Sequence, residues 1–420
     1  MSLGFYIIRS ESSLFRLTVY KAAAFDVLNI LIAVFSASLL AYGLSVDGRG
    51  NLAFTIALIS ILSMMVGAII TKYELVCGHL GYIPVKLISR AILELIVAVL
   101  LVYLLLFWMR EYIITDTLLL FVAMFNVTFL FLGLLLQRLL LSLRMFDVIN
   151  ISTAYANFMY LVSLIALYFF NYFSVVNVLI SNVIMQLCLV LLYSLSLKNS
   201  ISKEEFDGKY YKRLKGSTGF IKLLYQEIVF SLLILGPLLF VSKFFGNSAA
   251  GSFRIATTFQ DFLMKLPRIM NFVQRGFNIS SSGGWKRTIL LCNYTHIALL
   301  FISTLILICG DVFIPMLFSE KYSDVTFLAF LMSLSAAPWA SCNYLFTQIN
   351  IKKKYPVEVN YLLTTTLTAV IVVIYLMREY LDIQSLAIFI VVTYYILLVG
   401  IFYLVRKQTK LKWRHFLILK

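Results

Sequence analysis

Apolar stretches separated by short polar segments follow one another along residues 22–404. Each stretch is close to the roughly 20 residues that a helix needs to cross about 30 Å of hydrocarbon. The pattern therefore predicts an all-α polytopic membrane protein with twelve transmembrane helices. The predicted spans are residues 22–44, 52–70, 92–108, 118–137, 151–170, 175–197, 220–244, 250–270, 288–308, 325–345, 361–377 and 383–404.

The charged segment 198–219 divides these spans six and six, which suggests an internal duplication. Two sets of residues, 203 positions apart, share the spacing G-x4-G-x4-A: Gly43, Gly48 and Ala53, and Gly246, Gly251 and Ala256. An even number of spans per repeat predicts two six-helix bundles related by a pseudo-twofold axis along the membrane normal. The predicted parts are an N-terminal bundle (1–197), a cytoplasmic linker (198–219), a C-terminal bundle (220–405) and a basic cytoplasmic tail (406–420).

Composition and charge agree with a membrane protein. Hydrophobic residues make up 62% of the chain and charged residues 13%, which leaves too little polar surface for a soluble protein of this size. The net charge of +16 does not indicate a nucleic-acid partner, because the basic residues are sorted by side of the membrane. Of the 35 Lys and Arg residues, 29 lie on one predicted side, which predicts that both termini are cytoplasmic.

Motifs for soluble chemistry are missing from the sequence. There is no G-x4-G-K-[S/T] phosphate loop and no H-E-x-x-H, and the five cysteines show no metal-ligand spacing, so we expect neither a metal nor a bound cofactor. The predicted outer loops are short, whereas enzymes that polymerise or ligate sugars outside the membrane usually carry a folded outer loop. A secondary transporter, rather than an enzyme, is the class that fits.

One predicted helix carries a polar stripe. Arg254, Thr258, Asp261, Lys265 and Arg268 occupy positions i, i+4, i+7, i+11 and i+14, which confines them to an arc of roughly 80° at 100° per residue. A charge facing lipid at a helix centre costs about 2.5–3.5 kcal/mol on the insertion scale. The stripe is therefore expected to face water or protein.

Two interpretations of the stripe follow. In one, it is a basic track along a central lumen, suited to an anionic substrate, since Arg can hold a phosphate with two hydrogen bonds. In the other, the basic side chains extend towards the two membrane surfaces and Asp261 pairs with Lys265 one turn away.

Other ionisable groups lie in or next to the spans. Asp26 either lines the same central lumen or pairs with Lys21 at the membrane interface. Glu227, in the first turns of the seventh predicted span, likewise either lines the lumen or lies at the interface. Glu94 follows Arg90 by one turn, which favours a local ion pair. His296 lies in mid-span and is expected to be a packing residue rather than a proton relay.

Three short segments resemble those of a known family. Gly48-Arg49-Gly50, within residues 42–53, resembles the loop between the first two helices of polysaccharide flippases. Residues 314–322 are similar to the family's L-F-G-x-x-Y stretch, with Ser319 in place of the glycine, and residues 249–256 resemble the entry to its eighth helix. The chain thus resembles Wzx-type O-antigen flippases of the multidrug/oligosaccharidyl-lipid/polysaccharide (MOP) exporter superfamily.

This resemblance implies a function in O-antigen and lipopolysaccharide biosynthesis. Such a flippase moves undecaprenyl-pyrophosphate-linked oligosaccharide from the inner to the outer leaflet of the bacterial cytoplasmic membrane. It works by alternating access, in many cases with a proton or sodium gradient. Association with a polysaccharide polymerase and a chain-length regulator is a further implication.

Our hypothesis from the sequence assigns roles to eight residues. The expected substrate-binding residues are Arg254, Lys265, Arg268, Arg49 and Thr258, and the expected ion-coupling residues are Asp261, Asp26 and Glu227. The first alternative is a multidrug and toxin exporter of the same superfamily, which would favour acidic and aromatic groups in the lumen. The second alternative is a polysaccharide polymerase or ligase.

Overall fold

The computed structural model describes residues 24–25, 27–80, 82–108, 116–143, 145–202, 218–278, 284–351, 356–377 and 379–409. These residues are almost entirely helical. The helices are α1 (Val27–Gly43), α2 (Val46–Leu80), α3 (Val85–Trp108), α4 (Thr117–Ser142), α5 (Phe146–Phe169), α6 (Val175–Leu197), α7 (Thr218–Asn278), α8 (Gly284–Phe318), α9 (Thr326–Ile351), α10 (Pro356–Met377) and α11 (Ile383–Thr409).

Among the described residues, nine helices are long and apolar enough to cross a membrane, and α1 is a shorter apolar helix. A multi-pass helical membrane protein, as the hydrophobic pattern predicts, is thereby confirmed. The number of twelve spans and their arrangement in two bundles remain predictions.

The long helix α7 consists of two helices that meet without a loop. Gly246 has a φ of 88° and a ψ of 174°, outside the helical region, so it separates a first arm (218–245) from a second arm (247–278). Glycine adopts a positive φ without the steric cost that a Cβ would bring. The break lies between the predicted spans 220–244 and 250–270.

The chain forms two compact units. Unit 1 contains Met1–Ser36, Ile69–Tyr172 and Val176–Lys215, and unit 2 contains Ala37–Ala68, Phe173–Val175 and Gly216–Lys420. Helices α1 and α2 therefore contribute residues to both units, whereas α8 to α11 belong to unit 2.

In unit 1, neutral polar side chains join helices that are otherwise apolar. The pairs are Asn29 with Asn157, Asn126 with Asn182, Thr153 with Tyr193, and Tyr103 with Thr128. Such interhelical hydrogen bonds typically stabilise membrane helix packing by about 0.6 to 2 kcal/mol each. Unit 1 also contains a short parallel pair of strands, β1 (Ile83–Pro84) and β2 (Ile201–Ser202), which the hydrophobic pattern does not predict.

The predicted local ion pair in unit 1 is confirmed. The Arg90 Nε lies 4.0 Å from the Glu94 Oε1 on α3.

In unit 2, α9 is the most enclosed of the candidate membrane spans. His296 of α8 lies against it, with Nδ1 3.4 Å from the Ser341 Oγ, and its Nε2 lies 3.3 Å from the Tyr395 hydroxyl of α11. His296 thus packs between helices and has polar contacts at both ring nitrogens, in agreement with the packing role expected from the sequence.

Candidate functional site

The second arm of α7 begins where two helices cross at backbone distance. A Cβ added at Gly50 of α2 would lie 1.8 Å from the Asn247 carbonyl oxygen, and one added at Gly251 would lie 2.2 Å from the Val46 carbonyl oxygen. Both distances are far inside van der Waals contact, so only glycine fits at either position. We call these crossing segments, residues 46–50 and 247–251, the junction. They fix where the second arm starts.

Arg49 is part of the junction. Only 5% of this residue is exposed, and it interacts electrostatically with Tyr322, which is fully buried. The structure therefore places the arginine of the G-R-G segment inside unit 2 rather than on an open surface. Any contact between Arg49 and a substrate requires another conformation.

Beyond the junction, the second arm carries an ion pair. The Arg254 Nη1 lies 2.9 Å from the Asp261 Oδ2, and the two side chains are 29% and 45% exposed. The residues are seven positions apart, so the arginine side chain extends along about two turns of its own helix. The structure thus brings together two residues of the predicted stripe.

Two threonines lie beneath this ion pair. The Arg254 Nη1 donates to the Thr257 Oγ1 at 3.3 Å, and the Thr257 and Thr258 hydroxyls both donate to the Arg254 carbonyl, at 3.0 and 2.7 Å. Thr258 is only 3% exposed. Thr257 was not anticipated from the sequence, although its position three residues after Arg254 puts it within reach of that side chain.

Lys265 lies one turn further along the arm and is partly buried. Its Nζ lies 5.6 Å from the centre of the Phe262 ring, a cation–π distance. The other predicted site residues fall outside what the structure describes: Asp26 itself, and the side chains of Arg268 and Glu227.

The arrangement presents a guanidinium whose carboxylate partner is on the same helix. Such a pair does not join two helices, and each of its charges is costly in hydrocarbon. A phosphate group can replace a carboxylate group as acceptor, because each can accept two parallel hydrogen bonds from an arginine. The pair is thus suited to exchange Asp261 for an anionic ligand.

Metal chemistry has no obvious location in the described part of the chain. Within it, no group of three or more His, Cys, Asp or Glu side chains is placed to hold a metal ion.

No family model matches the sequence, and no curated protein matches it. Solved structures do match over nearly the whole chain. The MATE multidrug transporter DinF-BH superposes with a TM-score of 0.66 at 15% identity, covering 95% of this chain and 97% of that one. A variant of the Vibrio cholerae MATE transporter VcmN gives 0.62 at 14% identity, covering 97% and 100%. The lipid II flippase MurJ, in an inward closed conformation, gives 0.61 at 13% identity, covering 96% and 89%.

These likenesses establish the class of the fold, which is that of polytopic membrane transporters. More particularly, it is the fold shared by MATE transporters and the MurJ flippase, both of the MOP superfamily.

Proposed function

We propose that this protein is a flippase for a lipid-linked oligosaccharide carried on undecaprenyl pyrophosphate. It moves this substrate from the inner to the outer leaflet of a bacterial cytoplasmic membrane by alternating access. The substrate is the O-antigen repeat unit used in lipopolysaccharide biosynthesis. The protein acts as a transporter and not as an enzyme.

The observation that carries this proposal is the partly exposed ion pair of Arg254 and Asp261. Two charges on a membrane helix are retained against their insertion cost when they face water or a ligand. A pyrophosphate supplies the acceptor oxygens that Arg254 would take in place of Asp261. Lys265 and Arg268 extend the positive charge along the same arm, with Thr258 between them and Arg254.

The same pair supplies a route for ion coupling. Asp261 competes with the phosphate for Arg254, so the carboxylate resets the cationic arm once the substrate has left. Asp261 is also the first candidate to carry the coupling ion. Asp26 and Glu227 are further candidates for this role. Arg49 remains an expected substrate contact, in a conformation in which its side chain is exposed.

The architecture proposed with this function has six helices in each half, related along the membrane normal, and both termini in the cytoplasm. The halves are residues 1–197 and 220–405, joined by the linker 198–219 and followed by the tail 406–420. A polysaccharide polymerase and a chain-length regulator are the partners we expect.

A multidrug exporter is the second candidate. The fold match to MATE transporters favours it as much as the match to MurJ favours a flippase. Asp261, which is 45% exposed, would then bind a cationic drug in place of Arg254.

Leaflet location of the lipid-linked oligosaccharide separates the candidates. Cells depleted of this protein are treated with a sugar-labelling reagent that is restricted to the periplasm. A flippase predicts unlabelled intermediates trapped on the inner leaflet, with labelling restored by the parent chain and by Lys198→Gln, an exposed lysine outside the stripe. Arg254→Gln should fail to restore it. Full labelling after depletion would rule out the flippase, and drug hypersensitivity of the same cells would then support the exporter.

A further inference from the structure

The ends of α1 and α8 are tied together inside unit 2 by side chains that reach backbone carbonyls. On α1, the Ser38 hydroxyl donates to the Leu317 carbonyl at 2.5 Å, and the Tyr42 hydroxyl donates to the Met316 carbonyl at 2.9 Å. These carbonyls belong to the last turn of α8, which ends at Phe318. The last four carbonyls of a helix have no partner within it, so α1 supplies the cap that α8 needs.

The arrangement is reciprocal. The Lys321 Nζ, three residues beyond the end of α8, lies 3.4 Å from the carbonyls of Tyr42 and Leu44 at the end of α1. A lysine at this position satisfies carbonyls that α1 leaves open and complements the negative end of the helix dipole. The end of α8 is thus capped by side chains of α1, and the end of α1 is capped by a side chain that follows α8. We call Ser38, Tyr42 and Lys321, with the carbonyls that they contact, the double cap.

The double cap differs from the neighbouring junction in how firmly it is built. Tyr42 is 42% exposed and Lys321 is also exposed, so water can replace their contacts. At the junction, by contrast, backbone meets backbone and no side chain can adjust. Hydrogen bonds that water can replace are worth little net free energy, and they form and break readily.

The double cap lies close to the point in α1 where the two compact units divide. The division between the compact units falls within α1, after Ser36, so the double cap holds only the last part of this helix in unit 2. Alternating access requires contacts that hold one state and release in another. We propose that the double cap is a releasable latch for the end of α1, with Lys321 as a positioning residue, which opens once in each transport cycle. The cycle itself rests on the proposed function.

Hydrogen–deuterium exchange on the full-length protein in nanodiscs tests the latch directly. Lys321→Gln and Tyr42→Phe should each raise the exchange rate of the amides in residues 37–43 at least fivefold. Exchange in α9 should not change and serves as the internal reference. Lys243→Gln, an exposed lysine on the first arm of α7, is the matched control and should behave as the parent. Tyr42→Phe keeps the ring, so it guards against a general loss of packing.

Flipping of a fluorescent undecaprenyl-pyrophosphate glycolipid in proteoliposomes provides the second measurement. Both latch variants should flip it at least threefold more slowly than the parent and the control. Unchanged exchange in both variants would overturn the latch. Faster exchange with a parental flipping rate would show that the double cap has no part in the cycle. A parent that does not flip the lipid would instead contradict the proposed function, and exchange alone would then decide whether the latch exists.

Discussion

Two neighbouring segments of the second arm of α7 are built in opposite ways. Residues 247–251 are crowded by the backbone of α2, with no space for a Cβ at Gly251. Residues 254–261, less than one turn further on, carry an ion pair whose side chains are both partly exposed. The first segment has no room for a Cβ where it crosses α2, and the second displays two charged side chains.

This difference separates positioning from chemistry on one helix. The junction determines the place and direction of the arm through backbone contacts, which a small movement would destroy. The ion pair depends on that placement but adds little to it, because both of its members lie on the same helix. Changes at the junction should therefore affect folding, whereas changes at the pair should affect transport.

The largest expected effect is at the junction. Gly50→Ala and Gly251→Ala each place a methyl group about 2 Å from a carbonyl oxygen of the other helix, which neither backbone can avoid without shifting. Since overpacking a core typically costs about 1–3 kcal/mol and a rigid backbone cannot relax, we expect at least about 3 kcal/mol of destabilisation. Thermal unfolding of purified protein in detergent should show it, together with a loss of folded yield.

Gly133→Ala is the matched control for this prediction. The nearest heavy atoms to a Cβ at this position in α4 are the Gln186 Oε1 at 3.7 Å and the Val190 Cγ2 at 3.9 Å, which are ordinary contacts. Alanine is also the better helix former, by about 1 kcal/mol. This variant should be at least as stable as the parent. Equal unfolding temperatures for all three variants would show that the crossing is not tight.

The ion pair provides the opposite test. Exchanging its members, Arg254→Asp together with Asp261→Arg, preserves a pair of opposite charges but moves the cation about 10 Å along the helix. Stability should change by less than about 1 kcal/mol, as for partly exposed pairs in general. Transport of the lipid-linked substrate in proteoliposomes should fall more than tenfold, because the phosphate meets a carboxylate where the guanidinium was.

The single variants complete this cycle. The transport rate of each single variant, Arg254→Asp or Asp261→Arg, should also be more than tenfold lower than that of the parent. If the double exchange instead restores transport to the parental rate, the pair matters only as a pair and Arg254 is not the phosphate ligand.

A smaller effect is expected at the two threonines. Thr257→Val removes the hydroxyl that accepts from the Arg254 Nη1, so the guanidinium is less well oriented, and we expect a two- to fivefold loss of transport. Thr258→Val has the same shape and removes a hydroxyl that donates to the backbone. It should leave transport within twofold of the parent. A larger loss at Thr258 than at Thr257 would support the substrate contact that the sequence suggested for Thr258.

Much of the fold could be predicted because the bilayer imposes a length on each helix. Apolar stretches near that length mark the spans, and Gly246 falls between two of them. The strand pair β1–β2 could not be predicted, since two residues on each strand leave no periodic pattern. It also could not be predicted that one end of α1 belongs to unit 2, because this depends on contacts with residues near 317, far along the chain.

At the site, spacing predicted which residues share a face but not which of them touch. Positions 254 and 261 are two turns apart, and only the arginine rotamer decides that its guanidinium reaches Asp261. Glycine spacing marked Gly251 as special without indicating the partner helix. The burial of Arg49, an expected substrate-binding residue, could not be predicted, because no sequence pattern shows that the G-R-G segment packs against the second arm of α7.

The smallest predicted effect is a gain in stability at Ser319, in the turn that leads to the residue beside Arg49 of the junction. Ser319 has a φ of 80° and a ψ of 151°, a region that is essentially restricted to glycine and costs other residues about 1–3 kcal/mol. Its carbonyl accepts from the Tyr322 amide at 3.1 Å, which closes the turn that leads to buried Tyr322 beside Arg49. Ser319→Gly should therefore stabilise the protein by about 1 kcal/mol, after allowance for the greater freedom of glycine in the unfolded chain. Ser323→Gly, in the same segment but without a positive φ, should instead destabilise it by about 0.5–1 kcal/mol. Parallel thermal unfolding of the two variants measures the difference, and a lower unfolding temperature for Ser319→Gly than for the parent would show that this turn is not strained.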